Sequence, residues 1–194
     1  MNNSYKALSG QNGDAMNLPN KITLFRVAMI PIFLIFMLIP EIPYHRVIAA
    51  AIFLIAALSD FLDGYIARKN NLVTNFGKFM DPLADKLLVC SALICFVELK
   101  QVAAWIAIII IAREFIISGF RLIASDNGVV IAASWWGKIK TNVQMVMSVM
   151  LIINLDNSVI NVLEEISIYL SVILTVVSLL DYMIKNKNVL KEKH

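Results

Sequence analysis

The stretch DFLDGYIARKNNLVTNFGKFMDPLAD, residues 60–85, sets four carboxylates between two long apolar runs. Asp60 and Asp63 are three apart, and Asp81 and Asp85 are four apart, so on helices each pair shares a face. Gly64, Ala67 and Arg68 follow the first pair, then a polar link over 69–74, then Gly77. Acids beside lipid are costly, and where they occur they mark function. Four crowded anions repel or take up protons unless cations share the site. Two divalent ions would balance the four charges, and hard oxygen donors suit magnesium, manganese or calcium rather than zinc.

The flanking runs set the class. The chain has 194 residues and is 59% hydrophobic, against about 45–50% for soluble domains. Its mean hydropathy is +0.76. The apolar residues come in long runs, which predicts an all-α integral membrane protein of one domain. A net charge of +3 with dispersed basic residues gives no footprint for nucleic acid. Cys90 and Cys95 lie five apart in one apolar run, on different helix faces, and are expected to be buried small hydrophobes. His45 is expected in a loop and His194 is the last residue, so neither is assigned chemistry.

Working outward, the pattern predicts six transmembrane helices: about Ile22–Ile39, Arg46–Arg68, Gly77–Val97, Val102–Ala124, Trp135–Leu155 and Ile160–Ile184. Residues 17–185 would form this membrane domain. Residues 1–16 are expected to be a disordered polar extension or a leader, and 186–194 a basic cytoplasmic tail. Asn17–Asn20 is expected to be a turn. Arg26, one turn inside the first span, is expected to snorkel to the headgroups. With both termini cytoplasmic, the outer connections hold only Arg46 and Lys100 of the 17 lysines and arginines. The inner segments hold Lys69, Lys78, Lys138, Lys140 and the C-terminal lysines. This bias puts the acidic stretch at the cytoplasmic side of a multi-pass protein in the cytoplasmic (inner) membrane. Trp135 and Trp136 fit an interfacial aromatic belt.

Written as Asp60-x2-Asp63-Gly64-x2-Ala67-Arg68-x8-Gly77-x3-Asp81-x3-Asp85, the stretch resembles, at every position, the signature of the CDP-alcohol phosphatidyltransferases. Outside it, residues 17–23 (NLPNKIT), 112–115 (AREF) and 134–138 (SWWGK) are similar to the phosphatidylglycerophosphate synthase branch of that family. The resemblance implies an enzyme of phospholipid biosynthesis, working as a homodimer, that transfers the phosphatidyl group of CDP-diacylglycerol to sn-glycerol 3-phosphate and releases CMP. It further implies that Asp60, Asp63, Asp81 and Asp85 hold two divalent ions, Mg2+ or Mn2+, with Asp85 also the base. Asp60, Gly64, Arg68 and Gly77 would bind CDP-diacylglycerol.

Each pair of acids taken alone has a blander account: Asp60 and Asp63 as partners of Arg68 and Lys69, Asp81 and Asp85 as partners of Lys78 and Lys86. The eight fixed positions over 26 residues argue jointly against it. A phosphorylated acceptor brings a dianion that needs cations, and Arg113, Arg121 and Lys138 are the candidates. The alternative for Arg113 is an ion pair with Glu114 or another acid. Related transferases with serine, inositol phosphate or a phospholipid as acceptor are the nearest rivals. A UbiA-type prenyltransferase would separate its acidic motifs, and an ion transporter would place its acids near the bilayer midplane.

Overall fold

The computed structural model describes residues 18–69, 75–126, 131 and 134–186, with side chains at 21–59, 83–84, 86–125, 131 and 134–186. Six α-helices account for nearly all of it: α1 Leu18–Leu38, α2 His45–Lys69, α3 Asn75–Glu98, α4 Ala104–Asp126, α5 Trp135–Ile153 and α6 Ser158–Lys185. Residues 1–17 and 187–194, which carry the expected extension and most of the basic tail, lie outside the described residues.

The element order agrees with the sequence reading, with two local corrections. Residues 18–20 belong to α1 rather than to a turn. Proline is tolerated in a first turn, where its missing N–H would have no partner anyway. His45 opens α2 instead of lying in a loop, and its Nδ1 is 3.1 Å from the Phe36 carbonyl. The later helices stop and start at caps. The Ser134 hydroxyl accepts from Gly137 N–H at the head of α5, and Asn154 closes that helix in the left-handed region at φ 48°. Asn157 then caps α6 by accepting from Val159 N–H.

Helix α1 packs on α2 and α3, while α6 packs on α4 and α5; α2 and α3 bridge to α5 and α4. The core between them includes Phe33, Phe53, Phe96, Leu93 and Ile152, all fully buried. Two helical segments, Lys21–Leu38 and Ser158–Lys185, are long and apolar enough to cross a membrane. Only 22% and 33% of their most apolar stretches are buried in the bundle. Ile32, Ile35, Val159, Ile166 and Ile173 thus turn outward, the converse of a soluble core helix. Both thiols are unbridged, with Cys95 buried and Cys90 half-buried.

Arg26 departs from expectation. It is fully buried rather than snorkelling, and its Nε donates to the Ala56 carbonyl of α2 at 3.2 Å. Thr23, one turn earlier, is also fully buried. The polar face of α1 is turned into the bundle, toward the length of α2 one turn before Asp60.

Candidate active site

Asp60, Asp63, Gly64 and Arg68 fall in the last turns of α2, and Gly77, Asp81 and Asp85 in the first half of α3. The side chains of these seven residues lie outside the described residues. The backbone bears on them nonetheless: both segments are helical, so the two positions of each pair share a helix face, and α2 and α3 are in contact. Among the described residues, no group of three or more His, Cys, Asp or Glu is placed to hold a metal. As a donor set, four carboxylates offer only hard oxygens, which fits Mg2+ or Mn2+.

Beside this hairpin lies a cavity of about 480 Å³ that collects the three other predicted residues. Arg113 and Arg121 reach it from α4, Lys138 from α5, and Lys86, the residue after Asp85, from α3. Arg113 and Arg121 lie eight apart on one face of α4, and α5 begins within a short connection, so three cations converge from two helices. Arg113 is buried, whereas Arg121 and Lys138 are exposed at the mouth. A separate groove on α6, lined by Val162, Ile166, Tyr169 and Ile173, is almost wholly apolar and offers no comparable chemistry.

The guanidinium of Arg113 is held on two sides. Its Nη1 donates to Glu114 Oε1 at 3.0 Å, and its Nε donates to Ser178 Oγ of α6 at 3.2 Å. Ser178 in turn donates to the Thr175 carbonyl. The ion pair with Glu114 named as the alternative for Arg113 is therefore present, while the same side chain lines the cavity. Lys140 of α5, only 2% exposed, pairs with the same Glu114 oxygen. It is not a surface charge setting topology. One carboxylate thus serves two cations from two helices and offsets part of the cost of burying them.

The third side of Arg113 faces Gly137. A Cβ added at that glycine would stand 3.2 Å from Arg113 Nη2 and 3.5 Å from Ser134 Oγ. The absent side chain lets the first turn of α5 close on the guanidinium.

The sequence reading sent Arg26 to the headgroups and counted Lys140 among the inner topology charges, and it passed over Glu114 as a shared counter-ion, Ser178 and Tyr182. A signal for the last two exists: Ser171, Thr175, Ser178 and Tyr182 recur at intervals of three to four along α6 and are all buried. Such a polar stripe on an apolar helix marks the face turned to partners.

A family model described as CDP-alcohol phosphatidyltransferase matches residues 16–177. The chain belongs to the CDP-alcohol phosphatidyltransferase family. Among relatives of this phosphatidyltransferase, a Bacillus subtilis protein is 47% identical over 90% of this chain and 97% of its own length. A Haemophilus influenzae protein is 42% identical over 86% of this chain and 91% of its own. A Rickettsia bellii protein is 39% identical over 84% and 91%. All three are named CDP-diacylglycerol–glycerol-3-phosphate 3-phosphatidyltransferase. The phosphatidyltransferase signature itself, residues 60–85, falls wholly inside the matched region.

Proposed function

We propose that this chain is a CDP-diacylglycerol–glycerol-3-phosphate 3-phosphatidyltransferase, joining a phosphatidyl group to glycerol 3-phosphate with release of CMP. The observation that carries the reading is the cavity in which Arg113, Arg121 and Lys138 meet next to Lys86. A dianionic acceptor calls for such a cluster, whereas serine would leave Arg121 and Lys138 with no phosphate to meet, Arg113 being balanced in part by Glu114. The names of the relatives support the same acceptor.

The roles of the signature residues follow the family resemblance, and the chemistry is consistent with them. Asp60, Asp63, Asp81 and Asp85 would hold two divalent ions, Mg2+ or Mn2+, which would supply the charge that offsets a diphosphate beside four carboxylates. Gly64 and Gly77 leave room for the nucleotide, and Arg68 pairs with its phosphate. Asp85 accepts the proton of the acceptor hydroxyl, whose oxygen forms a bond to the β-phosphorus. The bond from that phosphorus to the bridging oxygen breaks, and CMP departs with the electron pair. Arg113, Arg121 and Lys138 hold the acceptor's phosphate and so fix which hydroxyl is presented.

The six helices each cross the membrane, with both termini and the site at the cytoplasmic face of the inner membrane; the skew of lysines and arginines toward one set of connections supports this. The working unit is a homodimer, supported by the family resemblance.

Purified protein given CDP-diacylglycerol and a panel of acceptors tests the reading. The expected product is phosphatidylglycerophosphate, dependent on Mg2+ or Mn2+ and abolished in Asp85→Asn. Robust turnover by that variant removes the proposed base, and a product with serine or inositol phosphate but not glycerol 3-phosphate overturns the acceptor.

A further inference from the structure

Tyr182 lines the same cavity as the three cations. It is 2% exposed, and its hydroxyl is buried without a hydrogen-bond partner among the described residues. The ring is well placed for packing: it meets Phe120 of α4 edge-on, with centroids 6.1 Å apart and planes at 83°, and sits with Ile117 in a small apolar cluster. Phenylalanine would satisfy every one of those contacts without burying an unpaired O–H, which is unfavourable. Among the described residues, then, nothing accounts for the hydroxyl.

Its surroundings name the use. Tyr182 lies one helical turn beyond Ser178, the residue that fixes the Arg113 guanidinium, on the same inward face of α6. The cavity is lined by four cationic side chains and one carboxylate, Glu114, a net positive lining that favours an anion, and a phenol offers an anion a neutral donor. Lys86, Arg121 and Lys138 line the cavity besides Arg113, which Glu114 balances in part, so a neutral donor adds a directed hydrogen bond without adding further positive charge.

We infer that the Tyr182 hydroxyl donates to a phosphate oxygen of the acceptor, completing a phosphate site whose cations come from α4 and α5 and whose neutral donor comes from α6. The inference rests on the acceptor reading above. It makes α6 a contributor to substrate recognition as well as a packing element.

Tyr182→Phe tests it in the full-length, metal-loaded enzyme. The KM for glycerol 3-phosphate is expected to rise about tenfold, the cost of one hydrogen bond to a charged acceptor. The KM for CDP-diacylglycerol is expected to hold steady and the Tm without substrates to hold or rise, since an unpaired buried O–H is removed. Inorganic phosphate, as a competitor of glycerol 3-phosphate, is expected to lose affinity by the same factor. An unchanged acceptor KM overturns the inference, as does a lowered Tm with both KM values raised, which would reveal a partner within the protein. A raised KM with unchanged inhibition by inorganic phosphate overturns the assignment to phosphate and moves the contact to the glycerol hydroxyls. Arg121→Ala and Lys138→Ala, run alongside, separate the two levels. If they raise the acceptor KM and Tyr182→Phe does not, only the tyrosine's role fails; if they also leave it unchanged, the acceptor site itself is misplaced.

Discussion

Replacing Glu114 by glutamine keeps its shape and removes the charge shared by Arg113 and Lys140. The side chains of those two cations are 9% and 2% exposed, and the carboxylate between them is 20% exposed. Water cannot take over the lost role at either cation. Breaking a buried ion pair by removing one partner costs about 3–5 kcal/mol, and the partial exposure of Glu114 puts the expected loss near ~3 kcal/mol. At about 2–4 °C per kcal/mol for a chain of this size, Tm falls by ~6–12 °C. Thermal unfolding of purified protein in one detergent, wild type beside Glu114→Gln, reads this directly. Adding Lys140→Met to Glu114→Gln is expected to recover part of the loss, since one fewer buried cation then lacks the carboxylate. A Tm within 2 °C of wild type for Glu114→Gln, with the second substitution purely additive, would refute the shared counter-ion.

Two further outcomes follow from the geometry. Gly137→Ala pushes a methyl group to 3.2 Å from Arg113 Nη2, and the guanidinium cannot retreat without stretching its bonds to Glu114 and Ser178. The KM for glycerol 3-phosphate is expected to rise about 3- to 10-fold with that for CDP-diacylglycerol unchanged, equivalent to losing roughly one hydrogen bond in steady-state kinetics. Arg46→Ala removes the donor to the Leu151 and Ile152 carbonyls at the end of α5, and the positive charge that faces the buried Glu164. Stability should fall by about 2 kcal/mol with both KM values intact, because this cluster sits at the far end of the bundle from the cavity; a shift in either KM would contradict that separation.

Helix number and order were legible in the sequence because long apolar runs punctuated by Pro40, Pro43 and polar links leave few alternatives. The caps at Ser134, Asn154 and Asn157, which set the later boundaries, come from the structure. The acidic signature was read from its resemblance to the family, and its side chains lie outside the described residues. Arg26 was not legible, because a cation one turn inside a span has two low-energy destinations, the headgroups and a carbonyl on a neighbouring helix. Only the packing of α1 on α2 chooses between them. Lys140 and Glu114 are 26 residues apart, and nothing local to either marks the other as its partner. Arg113 could be placed at an acceptor site or in an ion pair on sequence grounds; a guanidinium has donors enough for both, and the structure shows the pair while lining the cavity with the same side chain.

The packing pattern has a consequence for how such enzymes diversify. Helices α1–α3 hold one another, and α4 and α5 are each seated on α6, with the turn at 99–103 between the two sets. Under the proposed roles, the donor-gripping residues are inherited in the first length of chain and the acceptor-gripping ones in the second. Recombination at that turn can therefore exchange the alcohol a transferase accepts while the nucleotide-handling half passes through untouched, so a chimera's product should follow the parent of its C-terminal half.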